Sequence, residues 1–99
     1  PFTRDNTIDD AKNTKWGRRI MKLLRRFIKM DCGIATDEMA LAMIAEMPIH
    51  NLSTMSQGAV TQEMEEAIVM LFNDEKPAKA LGILAAGAAG ALKKAKQLL

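Results

Sequence analysis

Residues 61–73, Thr61-Gln62-Glu63-Met64-Glu65-Glu66-Ala67-Ile68-Val69-Met70-Leu71-Phe72-Asn73, read as one capped amphipathic helix. Thr61 places a hydroxyl where the free amides of a helix start need an acceptor. Glu63, Glu65 and Glu66 follow in the opening turns, where the amide dipoles favour negative charge. Apolar side chains recur at Met64, Ile68, Leu71 and Phe72, the spacing of one buried helix face. Asn73 predicts the stop. The period here is 3.6 and not 2, and no segment on either side alternates in the manner of a half-buried strand.

Downstream, Pro77 suits the first position of a closing helix, because its missing amide and fixed φ cost nothing there. The expected helix runs from about Ala78 to Leu98, with Leu81, Leu84, Ala85, Ala88 and Leu92 on its packing face. Gly82, Gly87 and Gly90 each cost up to about 1 kcal/mol of helix propensity. Close approach of another helix to the Ala/Gly surface is the simplest compensation, so these three glycines mark a candidate helix-packing face. The apolar stretch from Ala80 to Leu92 is 13 residues long, short of the roughly 20 that span a bilayer.

Upstream, Pro48 opens a short helix through Met55, which the Ser56-Gln57-Gly58 turn ends. Before it, Thr36 followed by Asp37 and Glu38 starts a helix over about 37–47, which Pro48 terminates. A basic amphipathic helix precedes that one. Trp16, Ile20, Leu23, Leu24, Phe27 and Ile28 form its apolar stripe through about Met30, with Thr14 as its cap and Gly33 in the turn after it. Thr7 before Ile8-Asp9-Asp10 caps a short opening turn. The expected fold is therefore all-α: one domain over residues 1–99, a bundle of four main helices plus one or two short helical turns. Short connections favour mostly antiparallel neighbours. The expected core is Trp16, Ile20, Leu24, Phe27, Leu41, Ile44, Leu52, Ile68, Leu71, Phe72, Leu81 and Leu84. Pro1-Phe2-Thr3 has no apolar run behind a basic start, so it reads as a cut or processing site within a longer chain and not as a signal peptide.

Composition narrows function chiefly by exclusion. With 48% apolar residues and a net charge of +2, the chain has the makeup of a folded domain. The one cysteine, Cys32, forms no intrachain disulfide, and with His50 as the one histidine there is no zinc ligand set. Cys32 sits at a helix end, where a low-pKa thiol would want a helix start, so the Cys32/His50 combination does not read as a nucleophile pair. The acids Glu63, Glu65 and Glu66 read as dipole compensation and not as an acid-base or cation site. The eight methionines read as core filler at helical spacing, with a Met-lined peptide groove as the other reading. No catalytic, cofactor or metal site is expected, and the predicted location is cytoplasmic.

Charge is strongly segregated. Residues 11–30 hold eight Lys and Arg and no acid, whereas residues 31–75 hold nine Asp and Glu and no base. Opposite blocks of this kind favour docking within a molecule or across a symmetric interface. Arg18, Arg19, Lys22, Arg25, Arg26 and Lys29 also form a candidate surface for an anionic partner, either a membrane surface or nucleic acid. The aromatic residues of that helix lie on the apolar stripe and not among the charges, which argues against base stacking.

The run Glu46-Met47-Pro48-Ile49-His50-Asn51-Leu52, then Met55-Ser56-Gln57-Gly58, Thr61-Gln62-Glu63-Met64 and Leu71-Phe72-Asn73, resembles a helical segment at the C-terminal end of some bacterial glycoside hydrolase family 3 enzymes, which are beta-glucosidase-like proteins. The opening Phe2-Thr3-Arg4-Asp5-Asn6-Thr7-Ile8 is similar to the start of that segment. The likeness covers about residues 2–82. It departs at Gln57 and Asp74, where glycines are usual, and at His50, where arginine is usual. The catalytic carboxylates of such enzymes lie upstream in other domains, so no active-site residue carries over. The resemblance implies an accessory domain. The leading expectation is a non-catalytic packing or oligomerisation module that self-associates or packs on other domains of a parent chain; a cationic binding module is the alternative.

Overall fold

In the computed structural model, residues 1–23, 45–55 and 60–98 are described. Those residues are all-α, with no strand among them. The order is a 3-10 turn at Asp9–Ala11, helix α1 at residues 17–23, a 3-10 turn at Ile49–Asn51 leading into α2 at Leu52–Met55, then α3 at Gln62–Phe72 and α4 at Pro77–Leu98. Residues 45 and 46 are also helical. The remainder of the helix expected over 37–47, the second half of the basic helix, and the expected core residues Leu24, Phe27, Leu41 and Ile44 lie outside the described residues.

The boundaries follow from local chemistry. The Thr61 hydroxyl accepts from the Met64 amide at 3.2 Å, capping α3. At the other end, the Asp74 amide donates to Leu71 O at 3.0 Å and the Glu75 amide to Met70 O at 2.8 Å. Together these bonds form a Schellman closure, with Asp74 in the left-handed position at φ 53°. A side chain there is unfavourable by roughly 1 kcal/mol relative to glycine. Asp74→Gly is therefore expected to raise stability by about 0.5–1 kcal/mol in urea denaturation. A loss of stability would show that the Asp74 carboxylate matters more than its backbone. Pro77 begins α4 as its sequence position requires.

The first turn is closed reciprocally. The Thr7 hydroxyl accepts from the Asp10 amide at 3.1 Å, and the Asp10 carboxylate accepts from the Thr7 amide at 2.9 Å. That backbone bond, together with the Asn6 side-chain amide, holds the Asp10 carboxyl below its ordinary pKa. Thr14 does not cap α1 as expected. Its hydroxyl donates back to Ala11 O at 2.7 Å, tying the turn to the helix that follows. Gly17 permits this tight junction, because a Cβ there would lie 2.2 Å from Ala11 O.

α3 and α4 make the most extensive helix–helix contact. Around them the core gathers Ile8, Ala11, Trp16, Ile20, Ile49, Leu52, Val60, Met64, Ala67, Ile68, Leu71, Phe72, Ala80 and Leu84. Leu81 and Ala85 depart from expectation, both being exposed, Leu81 by 42%. α4 instead turns Ala80, Leu84 and the half-buried Ile83 and Gly87 inward. The small side chain at Ala80 and the bare backbone at Gly87 let the helix approach closely, with Gly87 against Met64. Close approach, and not the largest apolar residue, sets this face.

Candidate functional site

The three glycines of α4 have different surroundings. A Cβ on Gly87 would meet Met64 Sδ at 2.3 Å, whereas one on Gly82 or Gly90 would meet nothing within 4 Å among the described residues. Of the three expected positions, Gly87 lies against Met64, and no described residue packs on Gly82 or Gly90. Those two positions, with Ala86 between them, floor an open groove of about 600 Å³. Thr61, Glu63 and Met64 wall it from the start of α3, and Lys79 contributes from α4. Spacing of four residues places Gly82, Ala86 and Gly90 on one stripe. Glu63 and Glu66 are exposed, as dipole-compensating acids should be.

Glu65 is not exposed. It is completely buried, and each carboxylate oxygen is occupied. Oε1 accepts from Arg4 Nη2 at 2.7 Å and Oε2 accepts from the Ser53 amide at 2.8 Å. Glu65 thus has a structural role beyond the dipole compensation read for the three acids. The sequence did hold a signal for it: Glu65, Ile68 and Phe72 stand at i, i+3 and i+7, so Glu65 falls inside the apolar stripe.

Around Glu65 runs an N-terminal strap, residues 2–7, which folds through a turn where the Asn6 amide donates to Thr3 O at 3.1 Å. Asn73 grips its start from the end of α3, accepting from the Phe2 amide at 2.7 Å and donating to the Phe2 carbonyl at 2.8 Å. The Phe2 ring meets Phe72 edge-on, with centroids 6.0 Å apart and planes at 69°. Further along, the His50 amide donates to Arg4 O at 3.0 Å and the Ile49 amide to Asn6 O at 2.9 Å, beside an antiparallel bridge between Thr7 and Pro48. His50 is exposed, with Nε2 3.7 Å from Asp5 Oδ1.

On the basic helix, Arg18, Arg19 and Lys22 are exposed, and Arg25, Arg26 and Lys29 lie outside the described residues. Arg19 and Lys15 stand 5.3 and 5.4 Å from the centroid of the Trp16 ring, within cation–π range. None of Lys15, Arg18, Arg19 and Lys22 forms an ion pair with the described residues, whereas Lys12 lies 3.6 Å from Asp9. Trp16 and Ile20 turn the apolar side of α1 into the core.

Among the described residues no group of three or more His, Cys, Asp or Glu is placed to hold a metal ion, and Cys32 lies outside them. No helix of the described residues is long and apolar enough to cross a membrane. No protein-family model matches the chain, and no curated protein or solved structure is significantly similar to it.

Proposed function

We propose that this chain is a non-catalytic helical packing module whose contact element is the groove between the start of α3 and the middle of α4. The observation that carries the reading is the pair Gly82 and Gly90. Each weakens α4 by up to about 1 kcal/mol, yet among the described residues nothing approaches either. A helix laid on the Gly82–Ala86–Gly90 stripe would supply the close packing that repays them. The likeness to the C-terminal segment of glycoside hydrolase family 3 proteins supports an accessory role. The residues that carry it, among them Phe2, Pro48 and Asn73, are anchors of the fold and not groups of a reaction centre. In this reading the groove receives a helix from a second copy or from another domain of a parent enzyme.

The test is solution mass by size exclusion with light scattering, at low and high salt, for the wild-type chain and for Gly82→Leu/Gly90→Leu. Leucines at both positions fill the groove without touching the core. The wild type is expected to associate and the variant to be monomeric with unchanged helix content. A wild type that is monomeric throughout removes self-association and leaves only packing on a parent domain. Equal association of both proteins places the interface elsewhere.

A second reading, a cationic surface for an anionic partner, is favoured by the exposed cations around Trp16 (Lys15, Arg18, Arg19 and Lys22), which form no ion pair with the described residues. Because the apolar side of α1 is committed to the core, such binding would be electrostatic and not insertive. Its affinity for nucleic acid or anionic vesicles must then fall steeply with salt.

A further inference from the structure

A row of cations crosses the surface of this chain with no acid of the same segment beside it. Arg18, Arg19 and Lys22 are exposed on α1, Lys15 is exposed just ahead of it, and none forms an ion pair with the described residues. Residues 11–30 contain no Asp or Glu, so the segment carries no carboxylate to neutralise them. Positions 15, 18, 19 and 22 stand at i, i+3, i+4 and i+7, the spacing of one helix face. That face is held rigidly. Trp16 and Ile20 are turned into the core, and Gly17 seats the start of α1 on the Ala11 backbone. Arg19 lies over the Trp16 ring at 5.3 Å. Stacking engages the face of a guanidinium and leaves its in-plane N–H donors for an acceptor.

We propose that this face binds double-stranded nucleic acid through its phosphates, without regard to sequence. The inference rests on the cationic-surface reading and names its partner; it is independent of the α3/α4 groove, which none of these residues lines. Charge density selects the duplex. From Lys15 to Lys22 a helix rises about 10 Å, a length over which a duplex presents about six phosphate charges. Four cations fixed in a row meet a rigid row of anions. A bilayer surface presents fluid charge diluted by neutral lipids, and stable attachment to it draws on buried apolar area as well. α1 has none to give, because its apolar side is in the core. Single strands are held on aromatic side chains that stack with bases. Phe2 is half-buried and Trp16 and Phe72 are buried, so no described aromatic is exposed for stacking. What the face offers is lysine and arginine, whose contacts to phosphate carry no sequence information.

The test uses the full chain and a labelled DNA duplex of about 20 base pairs, followed by anisotropy from about 50 to about 200 mM salt. Saturable binding is expected, with log K falling against log salt at a slope of about −3 or steeper, as neutralising four phosphates requires. Trp16 is the one tryptophan, so its emission should shift along the same curve as Lys15 and Arg19 are drawn to phosphate. Arg18→Glu/Lys22→Glu should weaken binding by about tenfold or more. Arg18→Gln/Lys22→Gln replaces it if charge reversal disturbs folding. Lys76→Glu/Lys93→Glu changes the net charge equally elsewhere in the chain and should stay within about twofold of wild type. Vesicles containing phosphatidylserine form the second arm. Vesicle binding without duplex binding, or equal affinity for both at equal anionic charge, keeps the cationic surface and overturns the duplex as its partner. Binding to neither at the lowest salt removes both. Equal losses in the two glutamate variants overturn α1 as the site, since binding would then follow net charge alone.

Discussion

Gly17→Ala is expected to lower stability by about 2–3 kcal/mol, within the range for a forced close contact in a packed region. At roughly 4–8 °C per kcal/mol for a domain of this size, Tm should fall by about 10–20 °C. Alanine is the better helix former, and in an open helix the exchange would gain up to about 1 kcal/mol. Here the new Cβ would stand 2.2 Å from Ala11 O and 3.0 Å from both Ala11 C and Lys12 Cα. Those are backbone atoms, and the turn that holds them is closed by the Thr7–Asp10 bonds and by Thr14. Nothing flexible can give way. The start of α1 must move off the turn, and Trp16 and Ile20 move with it out of the core. α4 supplies the control: Gly82→Ala and Gly90→Ala meet nothing within 4 Å among the described residues and should each stabilise by up to about 1 kcal/mol. Thermal and urea denaturation of the three variants decides the matter. Three changes of the same sign would mean that backbone approach at residue 17 does not govern the junction.

The helices were legible because their determinants are local. Thr61 and its acids, Asn73, and Pro77 all act within a turn of where they stand, and α3 and α4 begin where those residues place them. The orientation of α4 was less legible. Leu81, the largest early apolar residue of that helix, suggested a buried face that Ala80 and Gly87 overruled through close approach to α3. Burial of large side chains scales with area, but the choice of face also depends on how near two backbones come, and small residues set that distance.

The strap was invisible for a different reason. Residues 2–7 show no period of 2 or 3.6, and their partners are 61 and 71 residues away in sequence at Glu65 and Asn73. Contacts of that range leave no spacing to read. Asn73 illustrates the difficulty, since the residue that reads as a helix stop also clamps the Phe2 backbone. The groove was half legible. Three costly glycines in one helix announced a packing demand, but not that Met64 meets it at Gly87 and leaves it open at Gly82 and Gly90.

Arg4→Ala should cost about 3 kcal/mol, toward the low end of the range for stripping one partner from a buried ion pair. Arg4 itself is 38% exposed while Glu65 is fully buried, so the penalty is asymmetric. Without Arg4, Glu65 keeps the Ser53 amide alone, and its Oε1 faces apolar surroundings as an uncompensated charge. Glu65→Gln removes that charge and keeps an acceptor for Ser53. Arg4, whose side chain is 38% exposed, keeps part of its solvation, so this variant should lose about 1–2 kcal/mol, as expected for a weakened charged hydrogen bond. The combination Arg4→Ala/Glu65→Gln carries the argument. With no charge left to desolvate, the double variant should be more stable than Arg4→Ala alone, by about 1 kcal/mol or more. Denaturant titrations of the four proteins give the cycle directly. If Arg4→Ala lies within about 0.5 kcal/mol of wild type, the pair behaves as an exposed surface bridge. The strap would then be held by Asn73, the Phe2–Phe72 ring contact and the backbone of residues 48–50. If the double variant is the least stable of the four, the cost resides in lost packing of the Arg4 stem and not in the buried charge of Glu65.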